Sequence, residues 1–142
     1  MQNILNVKER METQVKNEFA LRSAALKEEE DKLRILEDRK SDYELQLKEL
    51  YSSSLDIVKI TEMQNAIEVM KYQIQVQLVN VKNAQLRLEE TRVRLQEAML
   101  EKKTHEKLKE REFEQFMQDE AARESKEIDE LVSFRFGVGS EE

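Results

Sequence analysis

Residues 60–98 read ITEMQNAIEVMKYQIQVQLVNVKNAQLRLEETRVRLQEA, and the spacing of their apolar side chains decides the fold. Ile60, Met63, Ile67, Met70, Ile74, Val81, Ala84, Leu88, Leu95 and Ala98 fall at steps of three and four, with Gln77 and Thr91 as polar members of the same series. Residues so spaced share one face of an α-helix, so the series is a seam along a long helix. The same stretch carries a second series: Val69, Tyr72, Val76, Val79, Leu86, Val93 and Leu100. These sit at heptad positions c and f relative to the first series, on roughly the opposite face. A helix with two apolar seams fits two neighbours. The chain offers one other long helix, which leaves room for a second partner from outside.

The composition agrees with a linear rather than a globular arrangement. The chain has 142 residues, 39% of them charged, with no proline, cysteine or tryptophan, and its two glycines, Gly137 and Gly139, lie near the end. Without Pro or internal Gly it lacks the usual punctuation of compact folds. Its abundance of Ala, Leu, Glu, Lys and Arg is that of long helices. The lack of cysteine excludes disulfides and thiolate metal sites. No apolar run approaches the length of a membrane span, and no charged-then-apolar leader is visible. The chain is therefore expected to be soluble and cytoplasmic, without direct membrane insertion. A net charge of −7 opposes nonspecific nucleic-acid binding. That charge is uneven: −2 over residues 1–50, zero over 51–100 and −5 over 101–142.

Upstream of the deciding stretch, residues 1–50 read as one helix. Ile4, Lys8, Met11 and Val15 begin its seam, and a further step of four to Phe19 predicts a stutter. From Phe19 the pattern runs through Arg22, Leu26, Glu29, Leu33, Leu36, Lys40, Tyr43, Leu47 and Leu50. This seam is weaker than that of the second helix, although the stems of Arg22 and Lys40 can cover apolar surface. Three serines at 52–54 compete with helical hydrogen bonding, and Asp56 or Thr61 suits the N-cap of the next helix.

The expected fold is all-α: two long helices forming an antiparallel coiled-coil hairpin as a single domain. The first helix is expected over about residues 2–51, the turn over about 52–56, the second helix over about 57–132 and a frayed tail over 133–142. Folding back near Asp56 places residue i opposite about residue 112 minus i, so that Ile4 faces about Leu108 and Phe19 about Val93. At 1.5 Å per residue the helices would measure roughly 75 and 115 Å, the second overhanging by about 20–25 residues at the end that holds both termini.

Catalytic chemistry has little to build on. There is no strand–turn–helix pattern to hold a nucleophile and no glycine-rich loop for phosphate. His105, the only histidine, shares a face with Glu101, but two residues without a pocket read as a solvated seam edge. No cofactor or metal is expected. The basic cluster Lys102, Lys103, Lys107, Lys109 and Arg111 is interrupted by Glu106 and Glu110, so pairing along one helix accounts for most of it. Tyr43, Tyr51 and Tyr72 all fall toward the hairpin end. Tyr43 is expected in the seam, Tyr51 beside the turn and Tyr72 outward, where aromatics serve as binding anchors.

Three segments carry a resemblance to the flagellar FliJ family, a component of the bacterial flagellar type III export apparatus. They are Ile4 to Glu12 (ILNVKERME), Glu106 to Phe113 (EKLKEREF) and Glu124 to Glu130 (ESKEIDE). Their order and spacing span essentially the whole chain, whereas the tail from Phe134 to Glu142 departs from the pattern. The resemblance implies a non-catalytic coiled coil similar to the central stalk of rotary ATPases. The implied partners are the hexameric flagellar export ATPase, the cytoplasmic domain of the export-gate membrane protein, and export chaperones. The implied location is peripheral, at the inner-membrane base of the flagellum. Carried onto this chain, Ile4, Leu5, Lys8, Phe113, Phe116, Lys126, Asp129 and Glu130 become candidates for ATPase-ring contact. Tyr51, Met70, Tyr72, Val79, Leu86 and Val93 become candidates for gate or partner docking. A helical-hairpin chaperone and a homo-oligomeric rod are the alternatives.

Overall fold

The computed structural model describes residues 2–53 and 55–141, with side chains through Gly137. Both long heptad series form helices: α1 spans Gln2–Ser53 and α2 spans Ile57–Glu141, and the described residues contain no strand. The two helices pack antiparallel, as the seams require. Helices of this length cannot rest on intrinsic propensity alone; burying a shared apolar seam supplies the stability.

Two compact units can be distinguished, residues 11–98 and residues 1–10 with 99–142. In the first, the seam of α2 is inside: Ile60, Ile67, Met70, Gln77, Val81, Ala84 and Thr91 are buried, and Met63, Ile74, Leu88, Leu95 and Ala98 are half-buried between them. Facing them, α1 contributes Val15, Phe19, Arg22, Leu26, Glu29, Leu33, Leu36, Lys40, Tyr43, Leu47 and Leu50, all half-buried. The cross-helix bonds fix the register: Tyr51 meets Gln64, Glu29 meets Gln77 and Glu18 meets Arg94. These pairs agree with the opposition expected from a fold centre near Asp56.

The expected stutter is absent. Ile4 and Met11 are exposed, and the buried residues in their place are Leu5 and Glu12. The positions of α1 facing inward are thus Leu5, Lys8, Glu12, Val15 and Phe19, an unbroken alternation of three and four. Apolarity favoured Met11 over Glu12 in the sequence. Glu12 is accommodated because Lys16, one turn on, pairs with its carboxylate at 3.0 Å. An unbroken heptad also spares α1 the local unwinding that a stutter imposes.

The connection is shorter than expected. Helix α1 continues through Ser52 and Ser53, with the Ser52 hydroxyl donating to the main-chain carbonyl of Glu49 at 3.1 Å. Such back-bonding of a serine hydroxyl to the preceding turn lets Ser52 sit inside the last turn of the helix. Ser54, part of the expected turn, lies outside the described residues. Asp56 is the N-cap of α2: its Oδ1 accepts from the amides of Val58 and Lys59 at 3.2 and 3.4 Å. Thr61 is already helical and donates its hydroxyl to the Ile57 carbonyl.

In the unit containing the termini, Leu5 is buried and Lys8, Lys102 and His105 are half-buried where the start of α1 lies along α2. From Glu106 to Gly137 every side chain is exposed apart from half-buried Glu120; Lys109 still bonds Gln2 of α1, and from Glu112 to Phe136 no bond to α1 occurs among the described residues of the unit. The tail expected to fray from residue 133 is helical through Glu141. A single Gly at an exposed helical position costs only about 1 kcal/mol, and no proline is present to end the helix. Glu142 lies outside the described residues.

Candidate interaction surfaces

Three surfaces emerge from this arrangement. The first is the second series on α2. Within the 11–98 unit, Val69, Tyr72, Val76, Val79, Leu86 and Val93 are all exposed, Tyr72 to 71% and Val79 to 58%. Helix α1 presents one seam and occupies one face of α2, which leaves this opposite face uncovered. Met70, grouped with the docking candidates, is instead inside the seam at 7% exposure. It supports the surface from beneath.

The second surface is the hairpin end. Tyr51, Leu55, Ile57 and Val58 are all exposed there, and the Tyr51 hydroxyl accepts from Gln64 at 2.9 Å. That bond holds the ring of Tyr51 across the two helices. Leu55, Ile57 and Val58 were not singled out from the sequence. The signal lay in their spacing, since all three fall off the series that leads into Ile60.

The third surface is the neighbourless part of α2. Phe113, Phe116, Met117, Ile128, Leu131, Val132, Phe134 and Phe136 are exposed along it, and Lys126, Asp129 and Glu130 are exposed beside them. Of the remaining ring candidates, Ile4 is exposed whereas Leu5 is buried at 7%. Lys8 is half-buried and bonds Glu101 at 2.8 Å. Leu5 and Lys8 therefore hold the two helices together at this end. Gln2 accepts a hydrogen bond from Lys109, and Glu9 lies 4.0 Å from Lys102. Part of the basic cluster thus serves cross-helix pairing, beyond the pairing along one helix that its sequence suggested.

The Lys8 hydrogen bond, with its charge, holds the Glu101 carboxyl below the ordinary range, and His105 adds a smaller contribution of the same sign. Glu101 is engaged with Lys8, and no cluster of three or more His, Asp or Glu among the described residues has metal-site geometry. No described helix is long and apolar enough to cross a membrane.

Two long helices packed antiparallel along a heptad seam define the class, a coiled-coil hairpin protein. The particular family follows from comparison: the model of the family described as Flagellar FliJ protein matches residues 1–141, and the chain belongs to that family. It is accordingly a structural component of the flagellar export apparatus. No curated protein and no solved structure matches the chain.

Proposed function

We propose that this protein is a non-catalytic stalk that enters the hexameric flagellar export ATPase ring, promotes its assembly and activity, and links it to the export gate. The observation that carries this reading is the neighbourless segment of α2 with Phe113, Phe116 and Met117 exposed. A single helix lined with aromatic anchors is narrow enough for a ring lumen and apolar enough to grip it. Ile4, Lys126, Asp129 and Glu130 flank it as the remaining ring-facing residues. Leu5 and Lys8 contribute by fixing the end of α1 against α2.

The gate's cytoplasmic domain meets the hairpin-side surface around Tyr51 and Tyr72, and the stripe through Val79, Leu86 and Val93 receives further partner helices, export chaperones among them. The exposure of that stripe supports docking, since contiguous apolar patches of this kind mark interaction sites. The location is peripheral to the inner membrane, through these partners.

The test is a turnover assay of the cognate hexameric ATPase with the purified full chain. Wild type raises turnover and ring assembly, and a Phe113→Ser/Phe116→Ser variant of unchanged helicity loses most of the effect. An ATPase indifferent to the wild-type chain, with no binding detected, sinks the stalk reading.

A further inference from the structure

The face of α2 between Val69 and Leu88 differs in charge from the rest of the molecule. In a chain of net charge −7 it contains Lys71, Lys82 and Arg87 and not one acidic residue. All three cations are exposed, and at about 100° per residue they border the stripe of Val69, Tyr72, Val76, Val79 and Leu86 on both sides. Lys71 is tied to Glu68 along the helix. Lys82 and Arg87 form no ion pair among the described residues.

The neighbourless part of α2 has the complementary character. Residues 112–130 carry eight acidic side chains against Arg123 and Lys126. Phe113, Met117, Ala121, Ile128 and Leu131 fall within an arc of about 80° on its surface; Glu120 and Glu127 line one edge of that arc, Glu114 lines the other, and Glu124 lies within it. The two surfaces also match in length: 20 and 19 residues correspond to about 30 and 28 Å of helix.

We propose that a second copy of this chain covers the exposed face, its acidic segment 112–131 lying along Val69–Leu88 of the first. The contact is heterologous, joining two different surfaces. Pairing the face with its own twin would set three cations against three cations. The acidic segment brings opposite charge together with apolar anchors at helical spacing, and such complementarity sets which partner and orientation are chosen. The contact itself does not depend on the stalk reading. Given that reading, self-docking covers the ring-facing helix and the docking stripe together until their other partners displace it.

The experiment is sedimentation velocity of the full-length chain over a wide concentration range, with two charge-reversed variants. One is Lys71→Glu/Lys82→Glu/Arg87→Glu, and the other is Glu114→Lys/Glu124→Lys/Glu127→Lys. Circular dichroism checks that both keep the wild-type helicity. Wild type associates with rising concentration, more weakly at higher salt. Each variant alone associates at least about tenfold more weakly. Mixed, the two associate again, because the reversed face of one fits the reversed segment of the other. A wild-type chain that stays monomeric throughout overturns the proposal. So does association that persists in both variants or is not restored on mixing, the latter results indicating symmetric pairing or another surface. Neither result bears on ATPase stimulation, which tests the stalk reading separately.

Discussion

Gln77 donates from one amide nitrogen to two acceptors on a single residue of the facing helix, the Glu29 carboxylate at 2.6 Å and the Glu29 main-chain carbonyl at 2.8 Å. Asn80 in turn donates to the Gln77 side-chain oxygen at 3.2 Å. A hydrogen-bonded polar layer in a largely apolar seam favours one register, because a slip strands its donors and acceptors. Gln77→Leu is therefore expected to leave stability equal or slightly raised while loosening the register. Double electron–electron resonance between spin labels at the exposed positions Lys27 and Gln85 reads this directly. Wild type gives one distance, and the leucine variant gives a broadened or split distribution.

Asp56 caps α2 through two amides, and the amide of Ile60 bonds the Asp56 carbonyl at 3.0 Å as the first helical turn closes. Removing the side-chain acceptor in Asp56→Ala costs about 1 kcal/mol of unfolding free energy, as N-cap deletions generally do. Asp56→Asn keeps an acceptor and recovers most of that. Urea denaturation followed by circular dichroism separates the two variants, and equal losses would refute the cap.

The hairpin was legible because burial here repeats with the heptad, and an apolar residue every three or four positions announces itself. Ile60, Ile67 and Val81 illustrate this, each appearing in the sequence where it is buried in the fold. The same rule failed at the start of α1. There the buried residue is a glutamate beside an apolar Met11, and its tolerance rests on Lys16 one turn away, a pairing that periodicity does not weigh. The helical tail departs from expectation for another reason: chain ends commonly fray, whereas here α2 continues through Gly137 with ordinary backbone angles. The outward stripe was readable only as surplus, from a count of seams against helices. The exposed tip at Leu55, Ile57 and Val58 was readable only in the same negative way, as apolar residues that fall off the seam leading into Ile60.

Lys8 and Glu101 join the start of α1 to α2 at 2.8 Å, and the lowered Glu101 pKa makes their contribution pH-dependent. A carboxylate whose folded pKa lies below its unfolded value of about 4.3 contributes its stability above that value. The contribution is lost as pH falls through the lowered folded pKa. In a carbon-detected NMR titration, the Glu101 midpoint is expected below the ordinary glutamate range in wild type and shifted upward in Lys8→Met. The carboxylate is exposed, so added salt should shrink the difference. Identical midpoints in the two proteins would show that the pair does not persist in solution.

Val79 and Val81 are two residues apart on α2, yet one is exposed to 58% and the other to 7%. The same substitution should therefore have opposite consequences. Val81→Glu places a carboxylate in the seam, losing roughly 1.5–3 kcal/mol of apolar burial and adding the cost of desolvating a charge. Val79→Glu alters only the uncovered stripe, where surface substitutions usually stay within about 0.5 kcal/mol. Thermal and urea unfolding should place Val79→Glu beside wild type and Val81→Glu well below it. Partner capture should show the reverse discrimination under conditions where both are folded: Val79→Glu loses binding, and so does Leu86→Glu, while Val81→Glu retains it. If Val79→Glu instead unfolded the protein, the stripe would belong to the core, and the surfaces assigned to it would have to be withdrawn.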